Sequence, residues 1–454
     1  MKIKNIQKAY FLGIGGIGMS ALARYFMHQD VLVYGYDKTS SPLTDQLQKE
    51  GAQIIFEDNK DLFPDKWLNE NTLFVYTPAI PKDNQIKQYI SNQGFKWIKR
   101  SEVLGILSKS YECIAIAGTH GKTTISSMTA HILHNSHMGC QAFIGGITSN
   151  YSSNILLHES SRLMVAEADE YDRSFLQLFP KTALISAMDA DHLDIYGTYE
   201  ELKNTFIEFA RRTQQNGNLI VHHPLKDQFS DFNKVLSYSL EDTNADFYAK
   251  NIGLKDGQYF FDLVHQKGII EKIQIQMPGL INLENAVGAI ALGLINGASE
   301  EEVQLAISSF RGIKRRMEKI VENDNIIYFD DYAHHPKEIN AVVSSIQKMY
   351  PEKNLTLVFQ PHLYSRTQDF ATEFAKSLDK VNEVILLDIY PARELPIPGV
   401  SSEIILNQMN IKKKQICKKE DLISVLENVK PELLLTLGAG DIDRLIEPIK
   451  NHFA

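Results

Sequence analysis

Residues 115–127, AIAGTHGKTTISS, join an apolar strand-like run to a helical pattern through a short loop with two glycines and a lysine. Gly121, Lys122 and Thr123 match the end of the Walker pattern G-x-x-x-x-G-K-[ST], whereas Ile116 stands in place of its first glycine. Backbone N–H groups of such a loop surround phosphates, the lysine neutralises their charge, and the threonine hydroxyl can reach Mg²⁺. The stretch therefore predicts the strand–loop–helix unit of an α/β nucleotide-binding domain. The loop residues predicted to contact the phosphates are Gly118, Thr119, His120, Gly121, Lys122, Thr123 and Thr124.

A second glycine-rich turn lies nearer the amino terminus, in residues 11–20, FLGIGGIGMS. Its glycines fit G-x-G-x-x-G between a strand-like and a helical segment, so the backbone can approach a diphosphate at a helix N-terminus. Asp37 ends the next strand-like run, VLVYGYD, where an acidic residue can meet a ribose hydroxyl. NAD, FAD and a nucleotide sugar all remain open, as does a turn used only for tight packing. The residues predicted to contact this ligand are Gly13, Gly15, Gly16, Gly18, Met19 and Asp37.

Polar residues follow two later strand-like runs. Glu167 ends the run RLMVAE, and His192 lies in DADHLDIYG after the run ALISAM. Phosphoryl transfer requires hard oxygen ligands for Mg²⁺, which Glu167 can supply directly or through water. Taken alone, His192 also fits a structural or capping role. Together with the lysine loop, the residues predicted to form a metal site are Thr123, Glu167 and His192.

The composition narrows the class of protein. The chain has 454 residues, which suggests about three domains. Its net charge is −9, so its overall charge does not favour binding to the phosphates of DNA or RNA. Its three cysteines, Cys113, Cys140 and Cys417, have the spacing of neither a disulfide framework nor a zinc site. The first residues lack the features of a signal peptide, and no apolar stretch approaches the length of a membrane span. We therefore expect a cytoplasmic protein without nucleic-acid or membrane partners.

Strand-length apolar runs alternate with amphipathic helical segments nearly throughout, which predicts α/β architecture with parallel sheets. Changes in this pattern divide the chain into residues 1–108, 109–313 and 314–454. The second block also contains ADFYAKNIGLKDGQYFFDLVHQKGIIEKIQIQM, which predicts antiparallel strands with LKDGQ as a hairpin turn. The third block contains NIIYFDDYAHHPKEI, which predicts a strand, a loop and a helix with Pro336 in its first turn. Asp331 and His334 would then lie at the carboxyl end of a strand, where α/β sites gather.

Taken in order, the motifs resemble those of the Mur ligase family over essentially the whole chain. They are GIGGIGMS, GTHGKTT, AEADE, DADHLDIYG, NLENA, RRMEK, DDYAHHP, FQPHLYSRT and YPARELPIPG. Members of this family join a carboxylate to an amine with ATP. The resemblance implies a Rossmann-like UDP-sugar-binding domain (1–108), a central P-loop ATPase-type α/β domain with added antiparallel strands (109–313) and a Rossmann-like amino-acid-binding domain (314–454). The first glycine turn would then hold the UDP diphosphate, and the second would hold ATP.

The resemblance also implies roles for individual residues. The catalytic residues it implies are Lys122, Glu167, His192 and His334. Besides the loop residues, the resemblance places four residues at ATP: Asn282, Asn285, Arg316 and Asp331. Helix capping is an alternative role for the two asparagines. Arg366, with His334, is expected to bind the amino acid, because a guanidinium pairs with a carboxylate through two hydrogen bonds. Leu363 occupies a position in FQPHLYSRT that is often basic.

The implied reaction adds L-alanine to the lactyl carboxylate of UDP-N-acetylmuramate through an acyl phosphate, with ATP and Mg²⁺, in peptidoglycan precursor synthesis. This is a reaction of cell wall biogenesis, cell shape and cell division, expected of a monomer or weak homodimer. The proton acceptor for the amine is left open between His192 and His334. A recycling ligase that adds a preformed tripeptide to the same sugar nucleotide is the nearest alternative. An NAD-dependent dehydrogenase and a non-catalytic nucleotide-binding regulator are more distant ones.

Overall fold

The computed structural model describes residues 6–190, 193–255, 258–392 and 394–454. The chain forms two compact units. The first comprises Met1–Leu254, Tyr259–Gln276 and Leu283–Arg311, and the second comprises Lys255–Gln258, Met277–Asn282 and Gly312–Ala454. The first unit contains two sheets and the second contains one, so the α/β expectation is confirmed. The division into three domains at residues 108 and 313 stays a prediction.

The amino-terminal sheet has five strands that pair in parallel, in the order β3-β2-β1-β4-β5. Its strands are β1 (Lys8–Leu12), β2 (Leu32–Tyr36), β3 (Gln53–Ile55), β4 (Thr72–Tyr76) and β5 (Trp97–Lys99). Its helices are α1 (Ile17–His28), α2 (Pro42–Lys49), α3 (Gln85–Asn92) and α4 (Arg100–Ser108). The strand order reverses direction at β1, and ligands of doubly wound sheets bind at the carboxyl edge beside such a point. The first glycine turn, between β1 and α1, lies at this edge.

The central sheet has ten strands in the order β15-β14-β13-β12-β11-β10-β6-β9-β7-β8. Its strands are β6 (Glu112–Ala117), β7 (Gln141–Thr148), β8 (Ser153–Leu156), β9 (Leu163–Ala168), β10 (Thr182–Ile185), β11 (Asn218–His222), β12 (Val235–Ser239), β13 (Phe247–Lys255), β14 (Gln258–His265) and β15 (Gly268–Ile275). The strands from β12 to β9 pair in parallel, whereas β7–β8 and β14–β15 are antiparallel pairs. The added antiparallel strands are thus confirmed. The predicted LKDGQ turn includes residues 256 and 257, which lie outside the described residues.

Among the described residues, five α-helices belong to this part of the chain. They are α5 (Lys122–His134), α6 (Leu193–Tyr196), α7 (Tyr199–Arg211), α8 (Leu280–Ile295) and α9 (Glu300–Ser309). Helix α5 packs against the parallel strands β6 and β9. Four residues separate the end of β6 from the start of α5, as the strand–loop–helix prediction requires. Strand β6 lies between β9 and β10 and is buried from Cys113 to Ala117, which explains why its sequence is uninterruptedly apolar.

The sheet of the second unit has six strands in the order β16-β17-β21-β18-β19-β20. Its strands are β16 (Glu318–Glu322), β17 (Ile327–Asp331), β18 (Leu355–Phe359), β19 (Glu383–Leu386), β20 (Lys414–Ile416) and β21 (Leu433–Leu437). All pairs are parallel except β16–β17. Its helices are α10 (Pro336–Met349), α11 (Tyr364–Asp369), α12 (Ala371–Leu378), α13 (Glu403–Leu406), α14 (Leu422–Val429) and α15 (Ile446–Phe453).

Local chemistry fixes the start of α10, which carries the predicted site residues of the second unit. His335 caps the helix, Pro336 is its first residue, and the Glu338 carboxylate accepts a hydrogen bond from the His335 N–H at 3.1 Å. The prediction of Pro336 in the first turn is confirmed. Short 3₁₀ helices cover Lys60–Leu62, Asp65–Trp67, Tyr171–Gln177, His223–Phe229, Lys419–Asp421 and Asp441–Leu445. Among the helices described, none is both long and apolar enough to cross a membrane.

Candidate functional site

The loop between β6 and α5 has the backbone that a phosphate cradle needs. Gly118 has φ +141° and Gly121 has φ +81°, a region that other residues rarely adopt. A Cβ on Gly118 would collide with the Ser186 hydroxyl, and one on Gly121 would lie 2.7 Å from the Asn285 side-chain oxygen. Gly121 is the N-cap of α5, so an anion in the loop would face the free N–H groups of the first turn of this helix.

Neighbouring strand ends hold the loop in shape. The Asp189 N–H donates to the Thr119 hydroxyl at 3.0 Å, and the His120 Nε2 lies 3.4 Å from an Asp189 carboxylate oxygen. The Ser186 hydroxyl donates to the His120 carbonyl. Thr124, in the first turn of α5, is buried. The segment after β10 therefore holds the loop through hydrogen bonds that need no nucleotide.

Lys122 lies between its own loop and a buried carboxylate. Its Nζ donates to the Gly118 carbonyl at 2.6 Å and lies 2.8 Å from a carboxylate oxygen of Glu170, whose side chain is 1% exposed. Burial by itself would lower the pKa of Lys122, but the carboxylates of Glu170 and Glu167 outweigh it and raise that pKa. The lysine thus stays charged. Sequence reasoning missed Glu170, although it ends the quoted motif AEADE.

Thr123 and Glu167 form the part of the predicted metal site that the structure brings together. The Thr123 hydroxyl donates to Glu167 Oε1 at 3.2 Å, and the Gly145 N–H donates to Glu167 Oε2 at 3.1 Å. His192 lies outside the described residues, and within the described part of the chain no three His, Cys, Asp or Glu side chains converge as a metal site. A hydroxyl and one carboxylate fit Mg²⁺, because this ion keeps several waters and shares its other positions with substrate phosphates.

The first glycine turn uses most of its N–H groups internally. The N–H groups of Gly13 and Ile14 donate to the carbonyl at the end of β2, and that of Gly16 donates to the Gly13 carbonyl. The N–H of Gly15 donates to an Asp37 carboxylate oxygen at 2.8 Å. Asp37 therefore closes the turn, a role that the sequence did not indicate; its contact to a ribose stays a prediction.

The N–H groups left for an anion are those of the first turn of α1. Gly16 is the N-cap, so the N–H groups of Ile17, Gly18 and Met19 have no partner within the helix. Arg100 Nη1 lies 2.8 Å from where a Cβ of Gly18 would be. Its guanidinium has no hydrogen bond or ion pair with another described residue. Arg100, which sequence reasoning also missed, therefore adds a positive charge to this helix N-terminus.

A cleft in the first unit has a volume of about 280 Å³ and is lined by residues 16–19, Arg100, Gly145, Glu167 and Asp169. Glu167 also accepts a hydrogen bond from the hydroxyl of Thr123, the residue after the lysine of the loop. The N-terminus of α1 and the predicted metal-site carboxylate therefore face the same cleft.

The two predicted asparagines of NLENA are both buried. Asn285 belongs to the first unit and places its side-chain oxygen beside Gly121 of the phosphate loop. Asn282 belongs to the second unit, where its amide donates to the Pro278 carbonyl at 2.6 Å. That contact differs from N-capping, in which the side chain accepts from a backbone N–H. The structure thus brings Asn285 to the loop, and a contact of Asn282 with the nucleotide stays a prediction.

In the second unit, Asp331 ends β17 and is buried. Its two oxygens accept hydrogen bonds from the N–H groups of Met317 and Ala333, each at 2.7 Å. Burial raises its pKa to about 6, although the charge of Arg316 and the two hydrogen bonds oppose that change. The guanidinium of Arg316 lies 5.8 Å from the ring centre of Tyr332. Asp331 and Arg316, predicted to reach the nucleotide, are thus neighbours at one strand end.

The residue before Asp331 makes a separate buried ion pair. Arg315 Nε donates to an Asp330 carboxylate oxygen at 3.1 Å, and the Thr436 hydroxyl donates to the other oxygen at 2.6 Å. Asp330 is fully buried, so this pair is part of the core of the unit. Of the two arginines in RRMEK, Arg315 is therefore structural.

His334 follows β17 and is held in one orientation. Its Nδ1 lies 3.0 Å from the Tyr332 carbonyl, and since a carbonyl can only accept, Nδ1 carries the proton and Nε2 is an acceptor. Burial lowers the pKa of His334; Glu338 opposes that change and Arg366 adds to it. A neutral imidazole with a basic Nε2 can accept a proton from an amine.

Arg366 lies in α11, close to a histidine that sequence reasoning did not single out. Its Nη1 lies 3.5 Å from the Nδ1 of His362, whose ring centre is 5.9 Å from that of His334. Burial lowers the pKa of His362 to about 4, and its proximity to His334 and Arg366 adds to that change. No carboxylate in the described part of the chain forms an ion pair with Arg366. The signal for His362 was its place in FQPHLYSRT. Leu363 is the N-cap of α11 with φ +69°; its N–H donates to the Tyr390 carbonyl and its carbonyl accepts from the Thr367 N–H.

Comparison with known proteins gives one family for the whole chain. Family models match residues 8–112 (Mur ligase family, catalytic domain), 116–293 (Mur ligase middle domain) and 315–440 (Mur ligase, glutamate ligase domain). UDP-N-acetylmuramate–L-alanine ligase of Phocaeicola vulgatus is 47% identical, with 99% of this chain and 98% of the relative aligned. The enzyme of that name from Porphyromonas gingivalis is 45% identical, with 98% and 99% aligned.

Solved structures show the same fold. The structure of UDP-N-acetylmuramate–alanine ligase from Thermotoga maritima matches with a TM-score of 0.82 and 24% identity, over 98% of this chain and 99% of that one. A murein peptide ligase from Psychrobacter arcticus matches with a TM-score of 0.72 and 24% identity, over 98% of each chain. At this identity the likeness establishes the fold alone.

Proposed function

The chain belongs to the Mur ligase family, and we propose that it joins L-alanine to the lactyl carboxylate of UDP-N-acetylmuramate with ATP, in peptidoglycan precursor synthesis. The observation that carries the proposal is the cleft that the N-terminus of α1 and Glu167 both line. A sugar nucleotide there presents its carboxylate to the γ-phosphate of ATP. The two glycine turns thus serve two different substrates of one reaction.

The first half of the reaction is a phosphoryl transfer. An oxygen of the lactyl carboxylate attacks the γ-phosphorus, ADP leaves, and an acyl phosphate forms. Lys122, held between Gly118 and Glu170, offsets the negative charge that spreads over the transferred group. Thr123 and Glu167 would hold Mg²⁺, which supplies charge neutralisation and orientation of the phosphates.

The second half forms the amide. The neutral amine of L-alanine attacks the acyl carbon, the tetrahedral intermediate collapses, and phosphate leaves. Arg366 binds the carboxylate of the amino acid, since it has no competing carboxylate among the described residues. His334 is one candidate for the group that takes the proton of the amine, because its Nε2 is an acceptor. His192 is the other candidate.

The recycling ligase, which takes a tripeptide, is the second candidate function. L-alanine is favoured because relatives with that activity in their name are up to 47% identical over nearly the full chain. The grouping of Arg366 with two uncharged histidines also suits a small amino acid, whose carboxylate is one carbon from its amine. We further propose that the enzyme works in the cytoplasm, as a monomer or weak homodimer, on small-molecule substrates alone.

The proposal is tested by measuring phosphate release and product mass with ATP, Mg²⁺ and UDP-N-acetylmuramate, with each amine offered separately. We expect phosphate and the L-alanyl product to accumulate together when L-alanine is present, and little of either without an amine. A product formed only with the tripeptide would establish the recycling ligase instead. No ATP-dependent product with any amine would refute both.

The first glycine turn is expected to bind UDP-N-acetylmuramate and not NAD, which calorimetry with both ligands measures. Arg100→Ala should weaken sugar-nucleotide binding roughly 10- to 150-fold, because a hydrogen bond to a charged group contributes about 1.5–3 kcal/mol. The exposed Arg162 of the same unit provides a matched control, and Arg162→Ala should bind normally. Tight NAD binding without a response to the sugar nucleotide would support the dehydrogenase alternative.

A further inference from the structure

Asn154 in β8 uses its whole side chain to hold helix α1. It is fully buried. Its Nδ2 donates to the Ile17 carbonyl at 2.5 Å and to the Ser20 hydroxyl oxygen at 2.9 Å, and its Oδ1 accepts from Arg24 Nη1 at 2.6 Å. All three partners lie on α1, and two are in its first turn. The proposed function gives this residue no role.

Arg24 fixes which way the amide of Asn154 points. Its Nε and Nη2 form a two-point ion pair with Glu50 at 2.7 and 3.0 Å, just after α2. Because a guanidinium can only donate, the atom of Asn154 that faces it must be the oxygen. The amide N–H groups therefore point at the first turn of α1. The orientation of the Asn154 amide is therefore set by its hydrogen-bond partners.

The strand paired with β8 lines the same cleft. Strands β7 and β8 form an antiparallel hairpin in which Phe143 pairs with Ile155. Phe143 and Gly145 of β7 line the cleft, and the Gly145 N–H donates to Glu167. One arm of the hairpin thus contacts the metal-site carboxylate, while the other arm holds the helix whose N-terminus faces the sugar nucleotide.

We propose that Asn154 is a positioning residue that sets the distance between the diphosphate on α1 and the phosphate transferred at Thr123 and Glu167. The inference rests on the proposed function. Phosphoryl transfer requires the attacking oxygen to lie in line and close to the phosphorus, and a displacement of about 1 Å can cost roughly a hundredfold in rate. A helix tied to the hairpin by three hydrogen bonds keeps that distance fixed.

The test is Asn154→Asp, which keeps an oxygen for Arg24 but replaces both N–H donors to α1 with an oxygen that repels the Ile17 carbonyl. We expect kcat for ATP-dependent ligation to fall roughly 10- to 100-fold. The Kd for UDP-N-acetylmuramate should change less than about threefold, because the ligand moves with α1 and its N–H groups. This separation of kcat from Kd is what a purely structural role would not produce.

Asn150→Asp is the matched control in the same hairpin. Asn150 donates to the Ser309 carbonyl at 2.9 Å and accepts from the Arg311 N–H at 2.8 Å, so the same change loses one amide-donated hydrogen bond of this hairpin away from α1. It should lower the melting temperature while keeping kcat. Ser20→Ala, which removes one acceptor of Asn154, should lower kcat about two- to fivefold with an unchanged Kd, even if Asn154→Asp does not fold.

The outcomes are distinct. Wild-type kcat in Asn154→Asp, or in Ser20→Ala should the first variant not fold, overturns the positioning role, as does an equal loss of kcat in Asn150→Asp. Absence of ligation by the wild-type enzyme refutes the proposed function itself.

Discussion

Replacing Lys122 by alanine is expected to reduce ATP-dependent ligation roughly a thousandfold or more, while binding of UDP-N-acetylmuramate changes little. Removal of one positioned donor to a developing charge costs about 10²–10³ in kcat, and cationic groups on a transferred phosphoryl contribute 10³–10⁵. Binding of the sugar nucleotide should persist because its predicted contacts lie on α1 and Arg100, in a cleft that Lys122 does not line.

The reason for so large an effect is the environment of the lysine. Its side chain is 15% exposed, and its Nζ lies 2.8 Å from the carboxylate of Glu170, which is nearly inaccessible to solvent. Alanine removes the cation and also leaves the Glu170 carboxyl buried without it. Burial already raises the pKa of Glu170, so the loss of Lys122 raises that pKa further and destabilises the fold. Glu170→Gln in the Lys122→Ala background should therefore restore stability without restoring turnover.

Exposed Lys109 offers the control for this measurement. Its Nζ lies 4.1 Å over the ring of Phe179 in the same unit, away from the loop. Lys109→Ala should keep kcat and the Kd of both substrates. Phosphate release and calorimetry, each run on folded protein checked by circular dichroism, give the comparison. If Lys122→Ala ligated at a rate within about tenfold of wild type, Lys122 would not be a phosphate-binding residue.

The parts of the site that are contiguous in sequence were predictable. The loop GTHGKTT encodes its own geometry, because two glycines with positive φ and a helix N-terminus act within a few residues of each other. The same holds for α10, whose His335 cap, Pro336 and Glu338 are neighbours along the chain. In both cases the local backbone sets the direction of the functional groups, so the sequence pattern was sufficient to predict this part of the site.

Contacts between residues that are far apart in the sequence were not predictable from the sequence pattern. Glu170 meets Lys122 because β9 pairs with β6, and the partner of a parallel strand is set by tertiary packing. Arg100 reaches the first turn because α4 follows the edge strand β5 back toward α1. His362 contacts Arg366, which is only four residues away in the sequence. The sequence could not show that His362 also lies beside His334, because His334 follows a different strand.

Asp37 shows that a predicted site residue can also have a structural role. Its place at the end of β2 predicts a ribose contact, which stays a prediction. In the structure, one of its oxygens accepts a hydrogen bond from the Gly15 N–H at 2.8 Å and the other from the Thr39 N–H at 3.3 Å. The Gly15 N–H is therefore engaged within the protein, and the N–H groups of the first turn of α1 are the ones left for an anion.

Arg366→Ala is expected to raise the KM for L-alanine strongly and the KM for ATP much less. Losing a two-point contact with a buried carboxylate costs about 2–5 kcal/mol, which corresponds to roughly 30- to several-thousand-fold. Arg366 suits that contact because it is half-buried and faces uncharged His362 without an ion-pair partner among the described residues. Arg366→Lys should recover part of the loss, since lysine keeps the charge but not the planar pair of donors.

The choice of amine separates this prediction from the recycling alternative. A free amino acid carries its carboxylate one carbon from the attacking nitrogen, so its cation must lie close to the acyl phosphate. A tripeptide places its anionic groups further away. One methylene contributes only about 1–3 kcal/mol to selectivity, so glycine and L-serine should react measurably but less well than L-alanine. The enzyme should reject the tripeptide more strongly, because its length requires a channel in place of a small pocket.

The measurement is kcat/KM for L-alanine, glycine, L-serine and the tripeptide, in wild type, Arg366→Ala and Arg444→Ala. Arg444 is an exposed arginine of the same unit, and its replacement should leave every value near wild type. The loss in Arg366→Ala should be shared by L-alanine, glycine and L-serine, since all three carry the same carboxylate. An unchanged KM for L-alanine in Arg366→Ala, or a wild-type preference for the tripeptide, would show that this arginine does not select the amino acid.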